Sequence, residues 1–251
     1  MSRARLQKLF AALLALAVWQ GAALLVHAPI LLPSPLQVAG RLSALVVTAD
    51  FLGTVGFSLL RIAEGFLLAL AAATVLAFGA GRFSLLEILL RPYVLAIKSV
   101  PVASFIILAL IWLQTSQLSL FISFLMVFPV LYTNVLAGIR SADSQLLEMA
   151  RVFRVPWKRR VRMIYLPAVE PFLLAGCATS LGMSWKAGVA AEVIGVVGGS
   201  LGERLYDAKI YLMTADLLAW TVVIVALSAG FEKLVLWLLR RVLRRIGGVP
   251  A

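Results

Sequence analysis

A chain of 251 residues that is 63% hydrophobic and only 14% charged is too apolar for a soluble domain, in which about half the residues are apolar and a quarter charged. It is an integral membrane protein with room for several spans of roughly 20 residues each, and it reads as one domain over residues 1–251. Its net charge of +12, from 23 Lys+Arg against 11 Asp+Glu, does not indicate nucleic acid: the cations sit beside apolar runs, and no soluble domain is left to carry a groove reader. The one cysteine, Cys177, lies inside an apolar run. It makes neither an internal disulfide nor a metal-binding pair and reads as a packing residue.

The first span is expected over residues 9–26, preceded by Arg3, Arg5 and Lys8. This resembles a signal peptide, but the apolar run continues through Leu31 and Leu32, so an uncleaved helix with its N-terminus inside is expected. His27, the only histidine, has no Cys, Asp or Glu near it in sequence and reads as an interfacial residue, not a metal ligand. Pro29, Pro33, Pro35 and Gly40 mark an outside loop, with a short surface helix from Pro35 to Val47. The second span, residues 54–80, carries Arg61 and Glu64 three apart on one helix face. Charges within a span pair with one another or line a cavity, so these two read either as a mutual ion pair or as part of a pathway or gate.

Arg82, Arg91 and Lys98 mark an inside loop, with a helix along the inner surface from Leu85 to Ile97. The third span, residues 100–113, starts at Pro101 and is short, so part of residues 90–99 is expected to enter the membrane with it. The fourth span covers residues 120–139 and contains Pro129, which should kink it. A basic loop, residues 141–167, follows, with Asp143 or Ser144 as its helix cap. Leu146, Ala150 and Phe153 fall at helical spacing, as do Trp157, Val161, Ile164 and Tyr165. The loop therefore reads as two short amphipathic helices joined at Val155-Pro156, with Pro167 restarting the chain.

The fifth span, residues 168–188, has a side of small residues around Ala175, Gly176, Ala178, Thr179 and Gly182, which permits close helix approach within the chain or beside a pathway. Lys186 is expected to snorkel to the outer interface, to pair with Glu192 or to face an anionic substrate. Gly195, Gly198, Gly199 and Gly202 lack the spacing and the Lys-Ser/Thr ending of a phosphate loop and read as a turn. A short helix over Leu201–Leu212 and a last span over residues 217–239, ending at Arg240, Arg241, Arg244 and Arg245, complete the chain. The cations concentrate on one side, which places both termini and the loop at 141–167 in the cytoplasm of a multi-pass protein with six spans.

That loop resembles a known one. Glu148-Met149-Ala150, three residues, Arg154, nine residues, then Ile164-Tyr165-Leu166-Pro167 keep the spacing of the E-A-A-x(3)-G-x(9)-I-x-L-P loop of ABC importer permeases. Met149 replaces an Ala. Arg154 replaces the Gly, whose backbone angle most residues reach with difficulty, so the turn is expected to be built differently. Thr54, Ser58, Arg61 and Gly65 match a T-x(3)-S-x(2)-R-x(3)-G pattern of the same family, and the run from Gly182 to Glu192 is similar to its nitrate/sulfonate/taurine-type branch.

The resemblance implies an all-α membrane protein like the type I ABC importer permeases, in a bacterial or archaeal plasma (inner) membrane. Two permease copies, expected as a homodimer, pair with two cytoplasmic ATPases and an external substrate-binding protein. No G-x-x-x-x-G-K-[ST] occurs, so ATP hydrolysis is expected on a separate subunit, and one His, one Cys and scattered acids lead to the expectation that the chain is not an enzyme. It is expected to bind no cofactor and no metal, ATP and Mg being held by the ATPase. Within the coupling loop, the resemblance assigns the ATPase contact to Glu148, Ala150, Arg151, Phe153, Arg154, Ile164, Leu166 and Pro167, with membrane lipid as the alternative partner of the arginines. Arg61, Glu64, Gly182, Lys186 and Glu192 are pathway or gate candidates. The expected cargo is a small anion such as a sulfonate, nitrate or taurine. A gradient-driven secondary transporter, or an importer of a vitamin or pyrimidine/flavin-type precursor, is the alternative.

Overall fold

The computed structural model describes residues 3–247, without the side chains of residues 3–5, 8, 9 and 247. The side chains of Arg3, Arg5 and Lys8, expected to anchor the first span inside, thus lie outside the described residues. In order, the helices are α1 (Arg3–Val26), α2 (Pro35–Val46), α3 (Ala49–Arg82), α4 (Ser84–Ser99), α5 (Val102–Trp112), α6 (Leu118–Arg140), α7 (Ser144–Val152), α8 (Trp157–Arg160), α9 (Leu166–Gly195), α10 (Leu201–Ile210) and α11 (Thr214–Gly247). No strand occurs among the described residues.

The centre is the packing of α3 and α9 against α6. Along α3 a buried stripe runs Thr54, Ser58, Ile62, Gly65, Ala69, Ala73, Ala77 and Ala80. The steps are three or four residues, one helix face, and from Gly65 onward its members are small, with the buried Phe66 beside them. That lets α6 approach closely: a Cβ on Gly65 would stand 2.3 Å from the Leu120 carbonyl oxygen. Between α6 and α9, a Cβ on Gly138 would lie 2.9 Å from Val169 Cα. Small residues at helix crossings supply the close van der Waals contact that holds helices together where lipid tails are as apolar as the side chains. Cys177 is fully buried in this core, as a packing residue should be.

The long α3, the helix over residues 115–140, the helix over residues 157–195 and α11 are each long and apolar enough to cross a membrane. These four helices run longer than the spans expected from sequence, because backbone hydrogen bonding continues a helix past the end of its apolar window. The third span is bent: helices α4 and α5 are apolar enough to cross only when taken together, and they meet at 107°. Pro101 offers no N–H, and Val100 before it is extended at φ −82°, ψ 134°, the conformation that a following proline imposes. The apolar stretch of α1, Phe10–Val26, is shorter than the others.

At the other end, Ser34 and Gln37 form a reciprocal capping box on α2, and α2 packs on α11. The Arg41 guanidinium grips Asp216 with two hydrogen bonds, Nη2 to Oδ2 at 2.6 Å. Asp216, in the first turn of α11, thus ties the last helix to the surface helix. The hydrogen bond and charge of Asp216 raise the Arg41 pKa above its ordinary value. Phe51 stacks on Trp220 at 5.5 Å in the same region.

Candidate functional site

Two places gather the candidate residues. The first is the loop after α6. Asp143 caps α7, its Oδ1 accepting from Gln145 N at 2.8 Å. The helix ends in a Schellman turn: Val155 N donates to Ala150 O at 2.9 Å and Arg154 N to Arg151 O at 3.0 Å. Between them Arg154 adopts φ +48°, the left-handed region normally left to glycine. The expectation of a differently built turn is therefore corrected. The turn is of the glycine type, and an arginine occupies it because the paired 6→1 and 5→2 hydrogen bonds hold the backbone there.

Ala150 is 2% exposed and turned into the protein, whereas Phe153 is 74% exposed. Leu146 and Met149 are exposed as well and follow the same helical stripe as Phe153. Val152, beside them, is also uncovered. A nine-residue helix with this much bare apolar surface presents a docking face. Glu148 and Arg151 are exposed on its flank, and Glu148 has no ion pair among the described residues. Met149, noted from sequence only as a departure from a pattern, belongs to this face.

The expected break at Pro167 is absent. Residues 157–195 run as one helix, widened to a π-turn at Val161–Tyr165 where Leu166 N donates to Val161 O. The wide turn precedes a proline with no N–H of its own, and single π-turns of this kind often mark functional positions. Trp157 packs on Tyr165 at 5.6 Å. Leu166 and Tyr165 rest on the core, and Ile164 is half-buried. These residues tie the loop to α9 and do not stand out from it.

The second place joins α3, α9 and α10. Glu192 is fully buried. Its Oε2 accepts from Ser58 Oγ at 2.8 Å and from Gly202 N at 3.1 Å, and Ser58 Oγ accepts from Leu201 N at 2.9 Å. A Cβ on Gly202 would fall 2.2 Å from Glu192 Cβ, so the glycine lets α10 reach the carboxyl group. Glu192 is thereby a lock between helices, and the expected pairing with Lys186 is corrected: Lys186 is exposed and forms no ion pair among the described residues. Helical geometry explains this, since residues six apart lie on opposite flanks of a helix. Arg61 and Glu64 do pair, at 3.2 Å on the surface of α3, with Arg61 5.9 Å from the Phe57 ring centroid. The carboxyl partner Ser58 and the motif residues Thr54 and Gly65 are buried, so the motif around Arg61 is mainly a packing motif. Gly182 faces open space, with nothing within 4 Å of an added Cβ. Among the described residues no cluster of His, Cys, Asp or Glu is arranged to hold a metal.

A long-helix core with small crossing residues, and an exposed apolar helix on a basic loop, are those of a helical membrane protein with a docking face. Residues 65–248 match the family described as the binding-protein-dependent transport system inner membrane component, and the chain belongs to it. It is similar to a Bacillus subtilis protein named as an aliphatic sulfonates transport permease, SsuC, at 30% identity over 91% of this chain and 83% of the relative. It is 28% identical to the bicarbonate transport system permease protein CmpB of Synechococcus elongatus, over 75% of this chain and 68% of the relative. The nitrate import permease protein NrtB of the same organism is 28% identical over 60% of this chain and 54% of its own length. The chain is thus a multi-pass inner-membrane permease subunit of an ABC importer, not an enzyme, and it works with a separate ATPase and a substrate-binding protein.

Proposed function

We propose that this chain forms the path by which a small anionic solute, delivered from outside by a binding protein, enters the cell under ATP power. The observation that carries the coupling part is the uncovered apolar stripe Leu146, Met149 and Phe153 on α7, flanked by Glu148 and held on a capped, Schellman-terminated helix. Such a stripe fits a groove on a cytoplasmic ATPase, with Glu148 and Arg151 setting register by charge. Arg154, exposed at the turn, meets either the ATPase or anionic lipid. Ile164, Leu166 and Pro167 transmit the movement of α7 into α9 through the continuous helix over residues 157–195.

The anion is supported by relatives named for sulfonates, bicarbonate and nitrate. Six spans with both termini inside follow if α1 and the bent α4–α5 pair are counted with the four long helices and the basic flanks face the cytoplasm. Two copies, paired as a homodimer, enclose the path. ATP and Mg bind the two ATPases, and this chain only answers their closure. Arg61, Glu64, Gly182 and Lys186 remain candidates for the pathway; Glu192 serves it by holding α10 to α3. Residues 1–251 act as one unit.

The test is a pull-down from native membranes through a tag on this chain, comparing wild type with Glu148→Lys by mass spectrometry. A soluble ATPase that accompanies wild type and is lost from the variant upholds the assignment. Its absence from both preparations, with uptake that follows the proton gradient and not ATP, sinks it.

A further inference from the structure

Helix α4 packs on the core through Leu86, Leu90 and Val94 and carries an exposed polar flank beside α6. Leu85, Ile88 and Leu89 point outward and are exposed, as lipid-facing residues would be. Glu87, Arg91, Val94 and Lys98 instead follow one another at steps of three or four residues along one face, and that face meets α6 across a groove of about 640 Å³. Two of its cations are not neutralised: Glu87 is already bound to Arg140, and neither Arg91 nor Lys98 has an acidic partner among the described residues. Lys98 Nζ lies 3.4 Å from Thr133 Oγ1 on the opposite wall. Beside it Tyr132 is 3% exposed, and its hydroxyl is buried without a hydrogen-bond partner. Tyr132 thus belongs to the closed wall of the groove. The floor is apolar, made of Val94 and Leu136 with Ala137 at its edge.

We infer that the α4–α6 groove is a binding site for an amphiphilic anion. Lys98, positioned by the Thr133 hydroxyl that accepts from it, takes the charged head, Arg91 supplies the remaining positive field, and Val94 and Leu136 take a short apolar tail. The volume falls within the range of small-molecule sites, and a bare nitrate or bicarbonate ion would leave most of it and all of its apolar floor unused. The chemistry is that of an alkanesulfonate, or of an anionic lipid whose headgroup sits at the inner leaflet. Only the first of these sources rests on the transport reading above; the site itself does not.

The experiment uses the complex purified through a tag on this chain and placed in phosphatidylcholine nanodiscs. Binding of radiolabelled pentanesulfonate and of nitrate is measured with and without added phosphatidylglycerol. Wild type should bind pentanesulfonate, and bind it better than nitrate. Lys98→Gln and the Arg91→Gln, Lys98→Gln pair should weaken binding about tenfold or more, Lys98→Arg much less, as expected for loss of a charged hydrogen bond. Saturable binding of phosphatidylglycerol, lost in the same variants and untouched by pentanesulfonate, also upholds the site and names lipid as its occupant. Binding of both probes unchanged in the double variant, with the ATPase still associated, overturns the site. Import of an anion by wild type and by that variant at equal rate and KM would leave the transport reading standing while refuting the groove as its solute site. Pentanesulfonate bound by wild type, alongside uptake of no anion, would do the reverse.

Discussion

Ser58 Oγ donates a 2.8 Å hydrogen bond to Glu192 Oε2 while accepting one from Leu201 N. One hydroxyl therefore joins three helices at a point where neither water nor lipid reaches the carboxyl group. Ser58→Ala removes a donor from Glu192 and strands the Leu201 N–H together. The expected cost is roughly 1–3 kcal/mol for leaving buried groups unsatisfied, seen as a lowered unfolding midpoint of the detergent-solubilised protein. A midpoint equal to wild type would show that the lock carries no weight.

Gly65 tests the crossing of α3 and α6. The nearest atom to an added Cβ is backbone, the Leu120 carbonyl oxygen at 2.3 Å, and backbone cannot rotate away as a side-chain tip can. Gly65→Ala should destabilise by roughly 1–3 kcal/mol through overpacking, whereas Gly182→Ala, with open space around it, should leave the melting curve where it is. Thermal unfolding of the two variants side by side decides the matter.

Arg154 offers the opposite sign. It holds φ +48° without being glycine, and a side chain in that region costs roughly 1–2 kcal/mol. The exposed Arg154 side chain makes no ion pair among the described residues, so Arg154→Gly should raise local protection of the α7 amides in hydrogen exchange. Val196 makes the same argument more sharply: it is β-branched, sits at φ +45° and closes α9 with Val197 N on Glu192 O at 3.0 Å. Loss of protection in both glycine variants would mean that these left-handed helix ends are not strained.

The docking face on α7 predicts a separation of stability from coupling. Phe153→Asp and Glu148→Lys alter exposed side chains with no described partner, so neither should move the unfolding midpoint by more than about 0.5 kcal/mol equivalent. Both should release the ATPase and abolish ATP-dependent uptake. Full uptake by Phe153→Asp would remove the stripe from the interface.

The loop at 141–167 was legible in the sequence because its residues are consecutive and their spacing is local. Helix α7, its Asp143 cap and the exposed Phe153 follow from it. What the loop's spacing did not show was which way Ala150 faces, since Leu146, Ala150 and Phe153 share a helical period and only the packing beneath separates the buried member from the bare ones. Arg154 was misread for a related reason. Its residue type argues against a left-handed angle, but two backbone hydrogen bonds impose one, and these involve carbonyls rather than side chains. The continuity of residues 157–195 through Pro167 was hidden in the same way, by a π-turn that no side-chain pattern encodes.

Composition and hydropathy by themselves determined that this is a helical membrane protein, roughly where its apolar helices lie and which loops are basic, because insertion into lipid depends on transfer free energies summed along short segments. Tertiary structure alone decided the partners: Ser58 with Glu192 across 134 residues, Arg41 with Asp216 across 175, and the cation-lined groove between α4 and α6. Long-range pairing depends on where helices cross, and crossings are set by which small residues meet. Sequence spacing within one helix carries no information about the helix it will touch.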